Sequence, residues 1–78
     1  MDEGVMMEAA GSGNLELVQF LRGKGCPWTY NTCRRALDQG HVEVLRWARE
    51  NGCPWTAFTR YRAAEELGYT DDHGNLAA

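Results

Sequence analysis

Basic residues are scarce in this sequence. Lysine occurs only once, at Lys24, and the 8 Lys and Arg residues are outnumbered by 11 Asp and Glu residues, which gives a net charge of −3. Proteins that bind nucleic acids obtain most of their affinity from clustered Lys and Arg side chains that neutralise phosphates. We therefore expect no nucleic-acid partner.

Long apolar runs are also missing. No stretch approaches the roughly 18 apolar residues that a membrane-spanning helix needs. The first ten residues, MDEGVMMEAA, are acidic and lack the apolar core of a secretory signal. These features predict an intracellular, cytoplasmic protein with no membrane contact.

With only 78 residues, the chain has room for one small domain. A compact chain of this size buries only roughly 60% of the surface that its unfolded form exposes, so its stability is marginal. The two prolines, Pro27 and Pro54, occupy equivalent places in a recurring Cys-Pro-Trp-Thr motif.

The sequence does contain an internal repeat. The segment GNLELVQFLRGKGCPWT (residues 13–29) is followed by GHVEVLRWARENGCPWT (residues 40–56), and aligning residues 14–40 with 41–67 gives 10 identities at a constant offset of 27. A fixed period of 20–50 residues is the sequence signature of stacked repeat proteins. Because Cys26 and Cys53 occupy equivalent places, we expect them to lie one repeat apart, and all three cysteines to be free thiols.

Apolar residues at helical spacing predict an all-α protein. The expected helices are a short one that ends near Gly11, then 15–23, 31–39, 42–51 and a last, capping helix at 57–67. Gly25 is expected in the left-handed conformation, Trp28 over the seam between repeats, and Thr29 or Asn31 as an N-cap. The side chains expected to face inward include Val5, Met6, Ala9, Ala10, Leu15, Leu17, Val18, Phe20, Leu21, Cys33, Ala36, Leu37, Val42, Val44, Leu45, Trp47 and Ala48.

Two motifs resemble the ankyrin repeat family. These are GHVEVLRWARENG and the pattern T-x-x-x-A-x-x-x-G-H, which runs from Thr32 through Ala36 to Gly40-His41. The resemblance implies a solenoid of stacked helix-turn-helix units: a partial repeat at 1–12, repeats at 13–39 and 40–66, an ankyrin-like domain over 1–68 and a flexible tail at 69–78. The 27-residue period and the NGCPW connector depart from the usual unit of about 33 residues and shorten its β-hairpin segment.

The resemblance implies a non-catalytic protein-protein interaction module with a concave helical surface. Outward positions that differ between copies are free to contact another protein. The candidate partner-binding residues are Tyr30, Asn31, Arg34, Asp38, Phe58, Tyr61, Arg62 and Glu65. For Phe58 and Tyr61 an alternative stays open, in which they seal the end of the last repeat.

A different function is also compatible with the sequence. Each repeat buries its apolar face only against a neighbour, and about three repeats are needed for stability. The chain is then a structural fragment of a longer array, or a subunit that self-associates through exposed repeat ends.

Residues capable of chemistry are present, but their spacing does not indicate an enzyme or a cofactor. Cys26 and Cys53 are too far apart in sequence for a structural zinc site, which favours small buried thiols over metal ligands. His41, in a Gly-His turn, is expected to hydrogen-bond backbone groups, a role that Asn14 also suits, rather than to act as a general base. Residues 71–73, Asp-Asp-His, resemble a metal-binding cluster but are expected to be solvated.

Overall fold

A computed structural model describes residues 2–69, which contain five α-helices and no β-strand. The helices are α1 (Glu3–Gly11), α2 (Leu15–Gly23), α3 (Tyr30–Asp38), α4 (Val42–Glu50) and α5 (Ala57–Arg62), and a π-helical turn, Ala63–Leu67, continues α5. The predicted all-α class is confirmed. Among the helices of residues 2–69, none is long and apolar enough to cross a membrane.

The N-terminal caps recur at the period of the sequence. Asp2, Thr29 and Thr56 precede α1, α3 and α5, and their side chains accept hydrogen bonds from the amides of Val5, Asn31 and Thr59, respectively. A side-chain oxygen at this position satisfies an amide that the first turn of a helix leaves unpaired. Thr29 is therefore an N-cap, as predicted. In the partial first copy, Asp2 is the N-cap at the equivalent position.

The helices pack as two hairpins and an additional helix. α1 packs against α2 and α3, α3 packs against α4 and α5, and α2 contacts α4. The first helix of each hairpin thus adjoins the first helix of the next. The hairpins turn near Gly13 and Gly40, so the sequence units 13–39 and 40–66 each begin inside a hairpin.

Within residues 2–69 the core contains fourteen buried apolar side chains, most of which were expected to face inward. They are Met6, Ala9, Ala10, Val18, Leu21, Cys26, Cys33, Ala36, Leu37, Val44, Leu45, Ala48, Cys53 and Ala63. Ala9, Ala36 and Ala63 are 27 residues apart, and each is at most 2% exposed. Alanine at this position lets the backbones of α1, α3 and α5 approach one another closely, since its side chain is a single methyl group.

Three predictions of buried apolar residues are wrong. Val5, Leu17 and Phe20 are 43%, 37% and 57% exposed, respectively. Their helices do carry apolar stripes, but the stripes are wider than the neighbouring helices can cover. In the described part of the chain, no hairpin precedes α1 and α2 to cover these side chains.

All three cysteines are free and buried, as predicted. The thiol of Cys26 donates a hydrogen bond to the carbonyl oxygen of Asp2 over 3.2 Å, and the thiol of Cys53 donates to that of Thr29 over 3.4 Å. Each bond joins the end of a hairpin to its beginning. A small side chain with a weak donor suits both positions.

The CPW connectors are fixed by an arginine of the preceding helix. The Arg22 guanidinium donates to the carbonyl oxygen of Cys26 over 2.8 Å and lies 4.3 Å from the Trp28 ring centroid. Trp28 also packs edge-on against Trp47 with centroids 5.8 Å apart, which places it over the seam with the next hairpin, as predicted. The second hairpin repeats the arginine contacts with Arg49, Cys53 and Trp55.

The last helical segment departs from its prediction as one continuous helix over 57–67. The π-helical turn widens the chain at Ala63, and Gly68, at φ +69°, ends it. Tyr69 belongs to the expected tail, yet its ring packs edge-on against Trp55 at a centroid distance of 6.0 Å. Residues 70–78 lie outside the described part of the chain.

Two threonines at equivalent positions provide a test of the packing. Thr32 and Thr59 are both buried, but the Thr59 hydroxyl is hydrogen-bonded to that of Thr56 at 3.1 Å, whereas the Thr32 hydroxyl oxygen has no partner among the described residues. We expect Thr32→Val to raise the free energy of unfolding by about 1 kcal/mol and Thr59→Val to lower it by a similar amount. Urea denaturation followed by circular dichroism measures both, and equal effects of the two substitutions would contradict this assignment.

Candidate functional site

The eight predicted partner-binding residues lie on α3, α5 and the start of the π-helical turn. Three pairs among them are related by the 27-residue offset: Asn31, Arg34 and Asp38 correspond to Phe58, Tyr61 and Glu65. We call this surface the α3–α5 face and define it by Tyr30, Asn31, Arg34, Asp38, Phe58, Tyr61, Arg62 and Glu65. Three of its aromatic side chains are exposed: Tyr30 by 46%, Phe58 by 68% and Tyr61 by 63%.

Four of these residues are joined by direct contacts. Arg62 Nη1 lies 2.8 Å from Asp38 Oδ1, and Arg34 Nε lies 3.7 Å from Asp38 Oδ2. The Asp38 carboxylate therefore lies between two guanidinium groups, and through Arg62 it connects α3 to α5. The Arg62 guanidinium also lies 5.9 Å from the Phe58 ring centroid, within the range of a cation–π contact.

Glu66 completes this network and was missed in the sequence. Its two carboxylate oxygens accept hydrogen bonds from Arg62 Nε and Nη2 over 2.9 and 3.2 Å. The i, i+4 spacing of Arg62 and Glu66 on a helix was the available signal. A guanidinium that binds one carboxylate with two parallel bonds is held in a defined orientation.

The network shifts the pKa values of Glu66 and Arg62. The hydrogen bonds from Arg62 lower the pKa of Glu66 below its usual value, and the hydrogen bonds to Glu66 and Asp38 raise the pKa of Arg62. Because these groups are exposed to solvent, the stabilisation from such ion pairs is small and is screened by salt. The network therefore orients the side chains of the face more than it stabilises the fold.

The equivalent seam between α1 and α3 lacks this network. At that seam Gly11 occupies the position of Asp38, and Arg35 occupies the position of Arg62. A Cβ built on Gly11 would lie 3.8 Å from the Cβ of Arg35, so the two positions do adjoin in space. Glycine offers no carboxylate to the arginine, and the Asp38–Arg62 pair thus distinguishes the α3–α5 seam.

The remaining predicted residues have different surroundings. Asn31 is half-buried, and its amide nitrogen lies 3.4 Å from Glu3 Oε2, which also accepts a hydrogen bond from the Thr29 hydroxyl. The Asn31 amide is therefore engaged between α1 and α3. Tyr30, Tyr61 and Glu65 are exposed.

His41 contacts the other hairpin turn. Its imidazole lies against the backbone of Gly13, and it makes no side-chain hydrogen bond to the N-terminus of α4, whereas Asn14 Oδ1 accepts from the Leu17 amide of α2 at 3.1 Å. The expectation that His41 and Asn14 play the same part is wrong. An open depression of about 270 Å³ adjoins the imidazole, lined by Gly13, Leu15, Gly40, His41, Val42, Glu43 and Val44.

Within residues 2–69, no group of three or more His, Cys, Asp and Glu side chains lies close enough to hold a metal ion. The Asp-Asp-His segment at 71–73 lies outside the described residues.

Comparisons with known proteins do not assign the chain to a family. No protein-family model, no curated protein and no solved structure matches it. The ankyrin resemblance therefore rests on the motifs in the sequence and stays a prediction.

Gly13 and Gly40 form a matched pair for testing the contact with His41. Both have φ +77°, but a Cβ on Gly13 would lie 2.6 Å from the imidazole, whereas a Cβ on Gly40 meets nothing within 4 Å. We expect Gly40→Ala to cost about 1 kcal/mol in the free energy of unfolding from the backbone conformation alone, and Gly13→Ala to cost at least about 1 kcal/mol more.

The background His41→Ala provides the control for this pair. Removing the imidazole removes the steric clash, so the costs of the two glycine substitutions should become similar. Chemical denaturation of the six proteins, wild type and variants, measures the difference. An excess cost of Gly13→Ala that persists without the imidazole would contradict the contact.

Proposed function

We propose that this chain is an ankyrin-like stack of helical hairpins and serves as a non-catalytic protein-protein interaction module inside the cell. The recurrence of local geometry at the 27-residue period supports the stacked architecture. N-caps, connector arginines and thiol hydrogen bonds recur at that period. A repeat protein presents side chains on a surface that extends over several units.

The observation that carries the proposal is the exposure of three aromatic side chains on the α3–α5 face. Tyr30, Phe58 and Tyr61 each leave about half or more of their surface in solvent. Arg34, whose side chain is 60% exposed, adds a guanidinium to the same face. Tyrosine, phenylalanine and arginine are enriched in interface cores, and tyrosine and arginine in particular supply much of the binding energy there.

The proposed mechanism is binding by a pre-organised surface. The Asp38–Arg62 pair connects α3 to α5, and the paired carboxylate of Glu66 orients the same guanidinium. Side chains that are already ordered lose less conformational entropy when a partner binds. The partner is another protein, which covers the aromatic rings with apolar side chains and meets the exposed charges around them.

Two observations favour binding over catalysis. The depression beside His41 is open, and its volume of about 270 Å³ is below the roughly 300–1,000 Å³ of typical small-molecule sites. The imidazole within it lies against the backbone of Gly13, and among the described residues no hydrogen bond joins it to Glu43, the carboxylate that lines the same depression. A second role, self-association through a repeat end, is favoured by the exposure of Val5, Leu17 and Phe20 on α1 and α2.

Site-specific crosslinking tests the proposed face. A photo-crosslinking phenylalanine analogue at position 61 should capture a protein partner in cells, whereas the same analogue at Arg46, exposed on α4, should not.

The captured partner is then purified and its Kd measured by calorimetry. We expect the double substitution Phe58→Ala and Tyr61→Ala to weaken binding by about tenfold or more, because truncation of interface aromatics typically costs over about 1 kcal/mol.

A matched control removes two exposed apolar groups elsewhere. Leu17→Ala with Phe20→Ala alters α2 and should leave the affinity for the partner unchanged. Equal Kd values for wild type and the α5 variant would contradict the proposed face. Demonstrated turnover of a small molecule by the purified chain would contradict the non-catalytic assignment.

A further inference from the structure

Three exposed apolar side chains mark one end of the molecule. Val5, Leu17 and Phe20 are exposed, but the residues 27 positions later are covered: Thr32 is 0% exposed, Val44 is 1% exposed, and Trp47 is half-buried against Trp28. We call the surface formed by Val5, Leu17 and Phe20 the N-terminal end face.

The difference between the copies identifies what covers such a face. The hairpin α3–α4 packs against the preceding hairpin, α1–α2, and α5 packs against the preceding first helix, α3. At α5, Thr59 again is covered, with 3% exposure. No described hairpin packs on this side of α1–α2, so the N-terminal end face is an exposed apolar surface that, by its equivalence to the covered faces, is suited to pack against helices. Burying exposed apolar area of this kind favours association.

We propose that this end face binds the same face of a second copy of the chain, which gives a two-fold symmetric dimer. A head-to-tail stack is disfavoured because Arg60 occupies the position of Met6 and Cys33, both 0% exposed. Stacking another α1 there would bury a guanidinium, which is costly without a paired carboxylate. Face-to-face association avoids this cost and closes after two subunits.

The sequence of α2 fits an antiparallel contact with itself. If the two-fold axis passes near Phe20, Glu16 lies opposite Lys24 of the other copy, and Leu17 lies opposite Gly23. Opposite charges then meet at both ends of the contact. A Cβ on Gly23 meets nothing within 4 Å, so the glycine leaves open space for the leucine, whereas the internal copy has Glu50 at this position.

Sedimentation velocity tests the dimer directly. From about 1 µM to about 1 mM, the wild-type chain should change from monomer to dimer mass and go no further. Phe20→Glu should remain a monomer over the whole range, while Phe58→Glu, which places a charge at another exposed phenylalanine, on α5, should dimerise as wild type does. Circular dichroism establishes that each variant is folded.

A charge exchange tests the antiparallel arrangement and does not depend on Phe20. Glu16→Lys and Lys24→Glu should each weaken dimerisation by about tenfold, since each places like charges opposite one another twice. The double variant restores opposite charges and should recover the wild-type dissociation constant.

Several results would overturn the proposal. They are a wild-type chain that stays monomeric at every concentration, species that grow beyond the dimer, a dimer lost in Phe58→Glu but kept in Phe20→Glu, or a charge exchange that restores nothing. This surface does not overlap the α3–α5 face, so either assignment can fail while the other holds.

Discussion

The structure depends on the close packing of α1 against α3. Small side chains at Ala9 and Ala36 suit a close approach of the two helices, and the larger Met6 and Leu37 belong to the same buried cluster; all four are at most 2% exposed. In a chain this short, such a seam supplies much of the buried apolar surface, which is the main favourable term in folding. Because α1 and α3 belong to different hairpins, this contact joins two units that would each expose an apolar face alone, and the smaller contact between α2 and α4 joins the same two units.

The same packing also determines which residues are free to differ between the repeats. Residues that hold one first helix against the next cannot vary freely, whereas outward residues can. At the α1–α3 seam the outward position is Gly11, and at the α3–α5 seam it is Asp38, which binds Arg62. The backbone thus repeats while the exposed side chains differ, and Phe58 and Tyr61 stand on α5 at the positions that Asn31 and Arg34 occupy on α3. The proposed protein-binding role follows from this asymmetry.

Much of the fold could be predicted from the sequence because capping, turns and helical periodicity are local. The first four helices, the Thr29 cap and the buried thiols were predicted correctly. Periodicity shows which side of a helix is apolar but not whether anything lies against it, so the exposure of Leu17 and Phe20 was missed. Contacts between distant turns, such as the imidazole of His41 on Gly13, and the widening of the last helix at Ala63 leave no local pattern to recognise.

Residue-resolved hydrogen exchange under native conditions tests the central claim that the α1–α3 seam joins the two hairpins. If it does, the slowest amides of α1 and α3 should exchange through one shared opening, with the same free energy and the same response to denaturant. If α1 and α2 open together at a clearly lower free energy while α3 and α4 stay protected, the hairpins are independent and the account is contradicted.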